Sequence, residues 1–238
     1  MEEHWQQRRK FIKFLSGSGA LLLCCHQPAW ALSIGQITQS DATNSLKSLL
    51  NQAAGIAVKQ LGITGGFSNN HRVRIGLPGQ LDNASALLRR VGMAKQLDRL
   101  EESMNNAAEQ AVAVAQPILT KAITNMTFQD AKSIITGGDT AGTAYLEKSG
   151  RAPLFTSFRP VVHNVVSKTA LSTQYNALVS RVSAFGVTNK DFSMETYVTN
   201  KALDGLFLVM GEKESYIRHH PAEAASSIAQ KILGVILK

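Results

Sequence analysis

The chain has 238 residues, 44% of them apolar, enough for an ordinary globular core and for one to two domains. Aromatics are sparse at 6% and alanine is plentiful, a mix that disfavours a β-sandwich and suits helices packed through small side chains. The formal charge is +8, and the only cysteines are the adjacent Cys24 and Cys25, so nothing after them can form a disulfide or a thiolate metal site.

Residues 1–31 read as an export leader. Gln7-Arg8-Arg9-Lys10-Phe11-Ile12-Lys13 is a twin-arginine pattern, a mild apolar run follows from Phe14 to Cys25, and Ala29-Trp30-Ala31 supplies a small-x-small cleavage site. The run is too short to span a bilayer comfortably. A lipid-anchored form fits less well, because the residue before either cysteine is Leu23 or Cys24 rather than a small one. A periplasmic location with cleavage after Ala31 is the expectation. Trimming removes Arg8, Arg9, Lys10 and Lys13 with Glu2 and Glu3, and leaves about +6. Such a charge favours anionic partners and serves solubility equally well.

The mature chain, 32–238, reads as a single all-α domain of about eight or nine helices. Ser40 to Gly62 is the first helix, capped by Ser40-Asp41, with Leu46, Leu49, Leu50, Ala53, Ala57 and Leu61 at helical spacing. Thr64 to Asn70 is a turn-rich loop. Residues 72–77 alternate and form a short strand or extended arm, with Arg72 and Arg74 on one side. Leu81 to Val91 is a short helix that Gly92 breaks. From Ala94, a heptad-like seam runs through Leu97, Leu100, Met104, Ala107, Ala111, Val114 and Ile118. Pro117 should kink or divide it. Asn105 and Asn106 are expected to face solvent or a neighbouring turn.

The stretch from Thr127 to Lys148 reads as helix, glycine turn, helix. Thr127 with Asp130 fits a capping box, Gly137-Gly138 can close the helix with positive φ, and Asp139 or Thr140 can cap the next. Gly150 to Pro153 is expected to break the chain again. Phe155, Phe158, Val161, Val162, Val165 and Val166 then mark a helical face, with Arg159-Pro160 near its start. Ser172 to Phe185 is a further helix and Gly186 to Lys190 a loop. Ser193 caps the helix that carries Leu203 to Met210, apolar on nearly all sides and therefore expected to be the most buried element. Glu212 to His220 turns polar, Pro221 breaks the chain, and Ala222 to Leu237 is a last amphipathic helix.

Several of these motifs resemble domain-of-unknown-function family 4197, bacterial proteins of which many are exported. They are Arg74-Ile75-Gly76-Leu77-Pro78, Met104-Asn105-Asn106-Ala107-Ala108-Glu109, Gly137-Gly138-Asp139-Thr140-Ala141, Phe158-Arg159-Pro160-Val161-Val162 and Lys201-Ala202-Leu203-Asp204-Gly205-Leu206-Phe207. The resemblance covers nearly the whole mature chain. It implies a helical fold and an exported protein, and brings no activity or catalytic residues.

No Walker loop, dinucleotide glycine pattern or Gly-x-Ser-x-Gly elbow occurs. His71, His163, His219 and His220 form no ligand set, so no metal and no cofactor is expected. Two features stand out. Gly138-Asp139-Thr140 sits at a helix N-terminus, where free N–H groups could hold an anion unless Asp139 occupies them. Asp204 falls inside an apolar helix, where a buried carboxylate needs a partner such as Arg159, Lys201 or Arg181. The candidate ligand site is therefore Gly138, Asp139, Thr140, Tyr145, Arg159, Lys201 and Asp204. The expected role is non-enzymatic: holding a ligand, lipid-like in character, or a cell-envelope partner. The alternative is an enzyme whose unfamiliar site is built from Asp139, Tyr145, Arg159, Lys201 and Asp204 converging in one cleft. Nucleic acid is not an expected partner, because the basic residues are scattered among acids.

Overall fold

The computed structural model describes residues 38–182 and 192–236. The expected leader with its cysteines and the Gly186–Lys190 loop lie outside these residues. The described chain is a helical bundle with no strand. Its helices are α1 (Gln39–Leu61), α2 (Gly79–Leu88), α3 (Ala94–Val112), α4 (Gln116–Thr124), α5 (Phe128–Ile135), α6 (Ala141–Lys168), α7 (Leu171–Val182), α8 (Met194–His219) and α9 (Ser227–Ile236).

Helix α8 is the centre of the bundle, packed against α1, α3 and α6. Val198, Ala202, Leu203, Leu206, Val209 and Met210 are buried on it. One stripe stays outside, however: Lys201, Asp204 and Leu208 are exposed at steps of three and four, which places them on one helix face. The expectation of an all-round buried rod is corrected to that extent. Around α8, the small residues Ala53, Ala54, Ala57, Ala107, Ala108 and Ala111 bring α1 and α3 into the same core.

Several local expectations also need correction. Helix α1 is capped by Thr38, not Ser40: the Thr38 hydroxyl accepts from Asp41 N–H and Asp41 Oδ2 accepts from Thr38 N–H. The α3 seam ends at Val112, leaving Val114 43% exposed, and Pro117 sits in the first turn of α4, where its missing N–H costs nothing. Gly92, at φ 85°, interrupts the helical path as expected. The last helix begins at Ser227, after a 3-10 turn at Pro221–Glu223. Gln52 anchors that turn to α1 by donating to Glu223 O and accepting from Ala225 N–H.

The expected break at Gly150–Pro153 does not occur. Helix α6 runs unbroken for 28 residues through Pro153 and Pro160, so Arg159-Pro160 lies in its middle rather than near a start. The two prolines, seven residues apart, both face solvent, as do Ser149 and Thr156, whose carbonyls lose a donor. Water can satisfy those carbonyls. The opposite face carries the buried Leu146, Leu154, Phe158, Val162, Val165 and Val166, and that packing overrides the local proline penalty.

Of segment 72–77, residues 74–77 are an extended arm and not a strand, whereas Arg72 and Val73 lie in a turn closed by the N–H groups of Val73 and Arg74 on Asn70 O, so Arg72 and Arg74 do not share one extended face. Asn105, buried on α3, pins the arm in place of a partner strand: its Oδ1 accepts from Ile75 N–H (2.8 Å) and its amide donates to Ile75 O (2.9 Å). Only Asn106 is exposed as expected. Four residues on, buried Glu109 accepts from the N–H groups of Phe67 and Ser68 and from the Ser68 hydroxyl, which closes the preceding loop.

Candidate functional site

The N-terminus of α6 meets the C-terminal half of α8. Glu214, fully buried, places its carboxylate on the first turn of α6. Oε1 accepts from Gly142 N–H (2.9 Å), and Oε2 accepts from Thr143 N–H (2.6 Å) and the Thr143 hydroxyl (2.7 Å). Arg218, one turn further along α8, donates Nε and Nη2 to Oε1 and reaches Ile134 O at the end of α5. A negative group at a helix N-terminus is favoured by the helix dipole and by donors that otherwise lack partners. The chain therefore fills its own anion site. Gly142 is required here, because an added Cβ would stand 2.5 Å from Leu50 Cδ2 and 2.8 Å from Glu214 Oε1.

This corrects the reading of the glycine turn. Neither Asp139 nor Thr140 caps α6 with a side-chain hydrogen bond. Asp139 is exposed, 3.7 Å from His219 Nε2. Gly137 and Gly138 are absent from the positive-φ glycines of the described chain, Gly65, Gly79 and Gly92. Gly137 instead permits close approach, since a Cβ there would lie 2.7 Å from Ala141 Cβ. The Thr127–Asp130 capping box is present as expected.

Beside this node, a groove of about 800 Å³ opens over α6 and α8. Its lining includes Thr140 just ahead of α6, Thr143 and Glu147 from α6, Asp204, Phe207, Leu208, Glu212 and Tyr216 from α8, and Arg72 from the turn before the arm. Leu208 and Tyr216 are 44% and 46% exposed, two large apolar groups on one open face. Ion pairs stand at its edges. Arg151 bridges Glu147 on its own helix (2.8 Å) and Asp204 on α8 (2.5 Å), while Arg72 pairs with Glu212. Asp204 is thus exposed and paired with Arg151, not buried and paired with Arg159, Lys201 or Arg181.

Of the predicted site residues, only Thr140 and Asp204 line this groove. Gly138 lies in the exposed turn and Lys201 is solvated. Tyr145 donates to Asp130 Oδ2 (3.3 Å). Burial and, secondarily, the Asp130 charge push the Tyr145 hydroxyl above its ordinary range. The Thr127 hydroxyl and N–H hold Asp130 below the usual carboxylate range. Arg159 lines a separate cavity of about 270 Å³ with Phe155, Pro160, His163 and Glu195. Asp139, Tyr145, Arg159, Lys201 and Asp204 do not converge in one cleft. Sequence reasoning missed Glu214, Arg218, Glu147, Arg151, Leu208 and Tyr216. The Glu214–Arg218 spacing of four was a legible signal for an intrahelical pair; the convergence of α6 on it was not.

Among the described residues, no cluster of three or more His, Cys, Asp or Glu could hold a metal ion. No helix among them is long and apolar enough to cross a membrane. The profile of one family, described as "Protein of unknown function (DUF4197)", matches residues 36–234. The chain belongs to that family. The DUF4197 match takes in every helix from α1 to α8, the groove and the buried Glu214–Arg218 node. No curated protein and no solved structure matches the chain.

Proposed function

We propose that this DUF4197 chain is an exported, non-catalytic helical protein that holds an amphiphilic ligand of the cell envelope in the α6–α8 groove. The observation that supports the reading is the groove itself. Its volume falls in the range of small-molecule sites, and its exposed Leu208 and Tyr216 lie between polar edges. A rigid framework stands behind it: Glu214 and Arg218 tie α8 to the start of α6, and Gly211 lets Thr140 approach α8 closely. Export rests on the twin-arginine leader and the cleavage site after Ala31.

Native mass spectrometry of protein recovered from the periplasm tests the binding. The expected result is a discrete adduct in the natural protein that is absent from Leu208→Asp. Ligand-free protein whose Leu208 methyl resonances ignore an envelope lipid extract would overturn it. For the route, Arg8→Lys with Arg9→Lys should leave the full-length chain in the cytoplasm; unchanged export would contradict the assignment.

A further inference from the structure

The groove's charge runs against that of the whole molecule. The chain is +8 overall, yet the groove lining carries Glu147, Asp204 and Glu212 against Arg72 alone. Each lining charge has a partner to be counted. Arg72 answers Glu212, one guanidinium to one carboxylate. At the other end, Glu147 and Asp204 share the single guanidinium of Arg151, so two carboxylates have one cation within ion-pairing distance across the α6–α8 seam, and the solvated Lys201, one turn from Asp204, makes no ion pair among the described residues. The side chains of Glu147 and Asp204 are 44% and 51% exposed, so both remain open to a second donor. Arg151 uses one oxygen of each: Glu147 Oε1 and Asp204 Oδ1.

Resting on the proposed groove, we propose that its ligand is a cationic amphiphile: a primary amine or guanidine head seated at Glu147 and Asp204, with an apolar body over Leu208 and Tyr216. Leu208 stands one turn from Asp204 on the same face of α8. Tyr216 stands a little over three turns further along the axis than Asp204, about 18 Å at 1.5 Å per residue, which sets the length of chain the groove covers. Tyr216 is held in place by its hydroxyl on Glu223 (2.7 Å) and by stacking on His220. A cation beside two carboxylates gains charge-assisted hydrogen bonds, whereas an anionic head would meet like charge there.

The test uses the leader-free protein and three probes with one tail, dodecylamine, laurate and dodecyl maltoside. Each is titrated below its micelle concentration while Leu208 methyl and Tyr216 ring resonances are followed. Dodecylamine should bind at least ten-fold more tightly than the other two. Glu147→Gln combined with Asp204→Asn should abolish that preference and turn it towards laurate, because Arg151 is then left as an unpaired cation at the same spot. Asp98→Asn, which removes an exposed pair with Arg89 on α3, should change nothing. Equal binding of all three probes at Leu208, or tighter binding of laurate, overturns the cationic assignment and leaves the groove as a site. Failure of every probe to move Leu208 overturns the cationic assignment and counts against the groove as well. A double variant that loses helicity is replaced by Asp204→Asn alone, for which a loss of preference smaller than two-fold contradicts the proposal.

Discussion

At the scale of single residues, burial separates the acids of this chain into different kinds. Glu214 is enclosed with its counter-ion and three further donors, so removing its charge leaves Arg218 buried without compensation. Glu214→Gln should cost about 3–5 kcal/mol, read as a lowered urea midpoint with an unchanged slope. Asp204 is half exposed, and Asp204→Asn should cost less than about 1 kcal/mol in the same measurement. The sequence suggested the reverse ranking, because Asp204 stands among apolar neighbours and Glu214 among polar ones. Neighbours in sequence do not reveal which face of a helix turns inward. Asn105 belongs with Glu214: Asn105→Leu orphans the N–H and C=O of Ile75 and should cost about 1–3 kcal/mol for each buried group left unpaired. Asp130 adds a pH dependence. Its folded-state pKa is depressed by Thr127, so its contribution is complete above the ordinary carboxylate range and fades as pH falls through the depressed value. Asp130→Asn should remove that acid-side slope from a plot of stability against pH; an unaltered slope would contradict the assignment.

At the scale of elements, the helices that read most clearly were those with an unbroken apolar period, α1 and α3, together with the Ser193 cap of α8 and the Thr127 box of α5. Helix α6 was misread because Gly150, Pro153 and Pro160 are local signals, while its continuity depends on a face packed against α3, α4 and α8. Both prolines can be tolerated only on the wet side. Pro153→Ala should therefore stabilise the protein, by about 1–2 kcal/mol: proline costs about 3 kcal/mol more than alanine inside a helix, and a more flexible unfolded chain returns part of that gain. Destabilisation by this change would show that the helix is shaped around the ring. Close packing of α8 on the loop before the arm makes the opposite prediction for Gly205. A Cβ there would lie 2.7 Å from Phe67 Cε1, and Phe67 is fully buried with its N–H held by Glu109. Gly205→Ala should lower the melting temperature, whereas an unchanged value would mean that the Phe67 ring can give way.

At the scale of the whole molecule, the all-helical class was legible because alanine-rich, aromatic-poor composition and period agree along the chain. The groove was not, since its lining joins the turn before the arm, the start of α6 and the outer stripe of α8, segments far apart in sequence. The buried node at Glu214 holds two of these surfaces in register and leaves Leu208 facing outward. Cys24 and Cys25 are the only cysteines, so on the proposed trimming after Ala31 single introduced cysteines would report on that surface without a background. The decisive measurement is the rate at which a maleimide modifies Leu208→Cys in intact producing cells and in the purified, ligand-stripped protein, with Val114→Cys, on an exposed side chain that lines no part of the groove, as reference. An occupied groove predicts that Leu208→Cys reacts several-fold more slowly in the cell relative to Val114→Cys, and that stripping restores its rate. Equal relative rates in the two settings would contradict a ligand-holding role for this face.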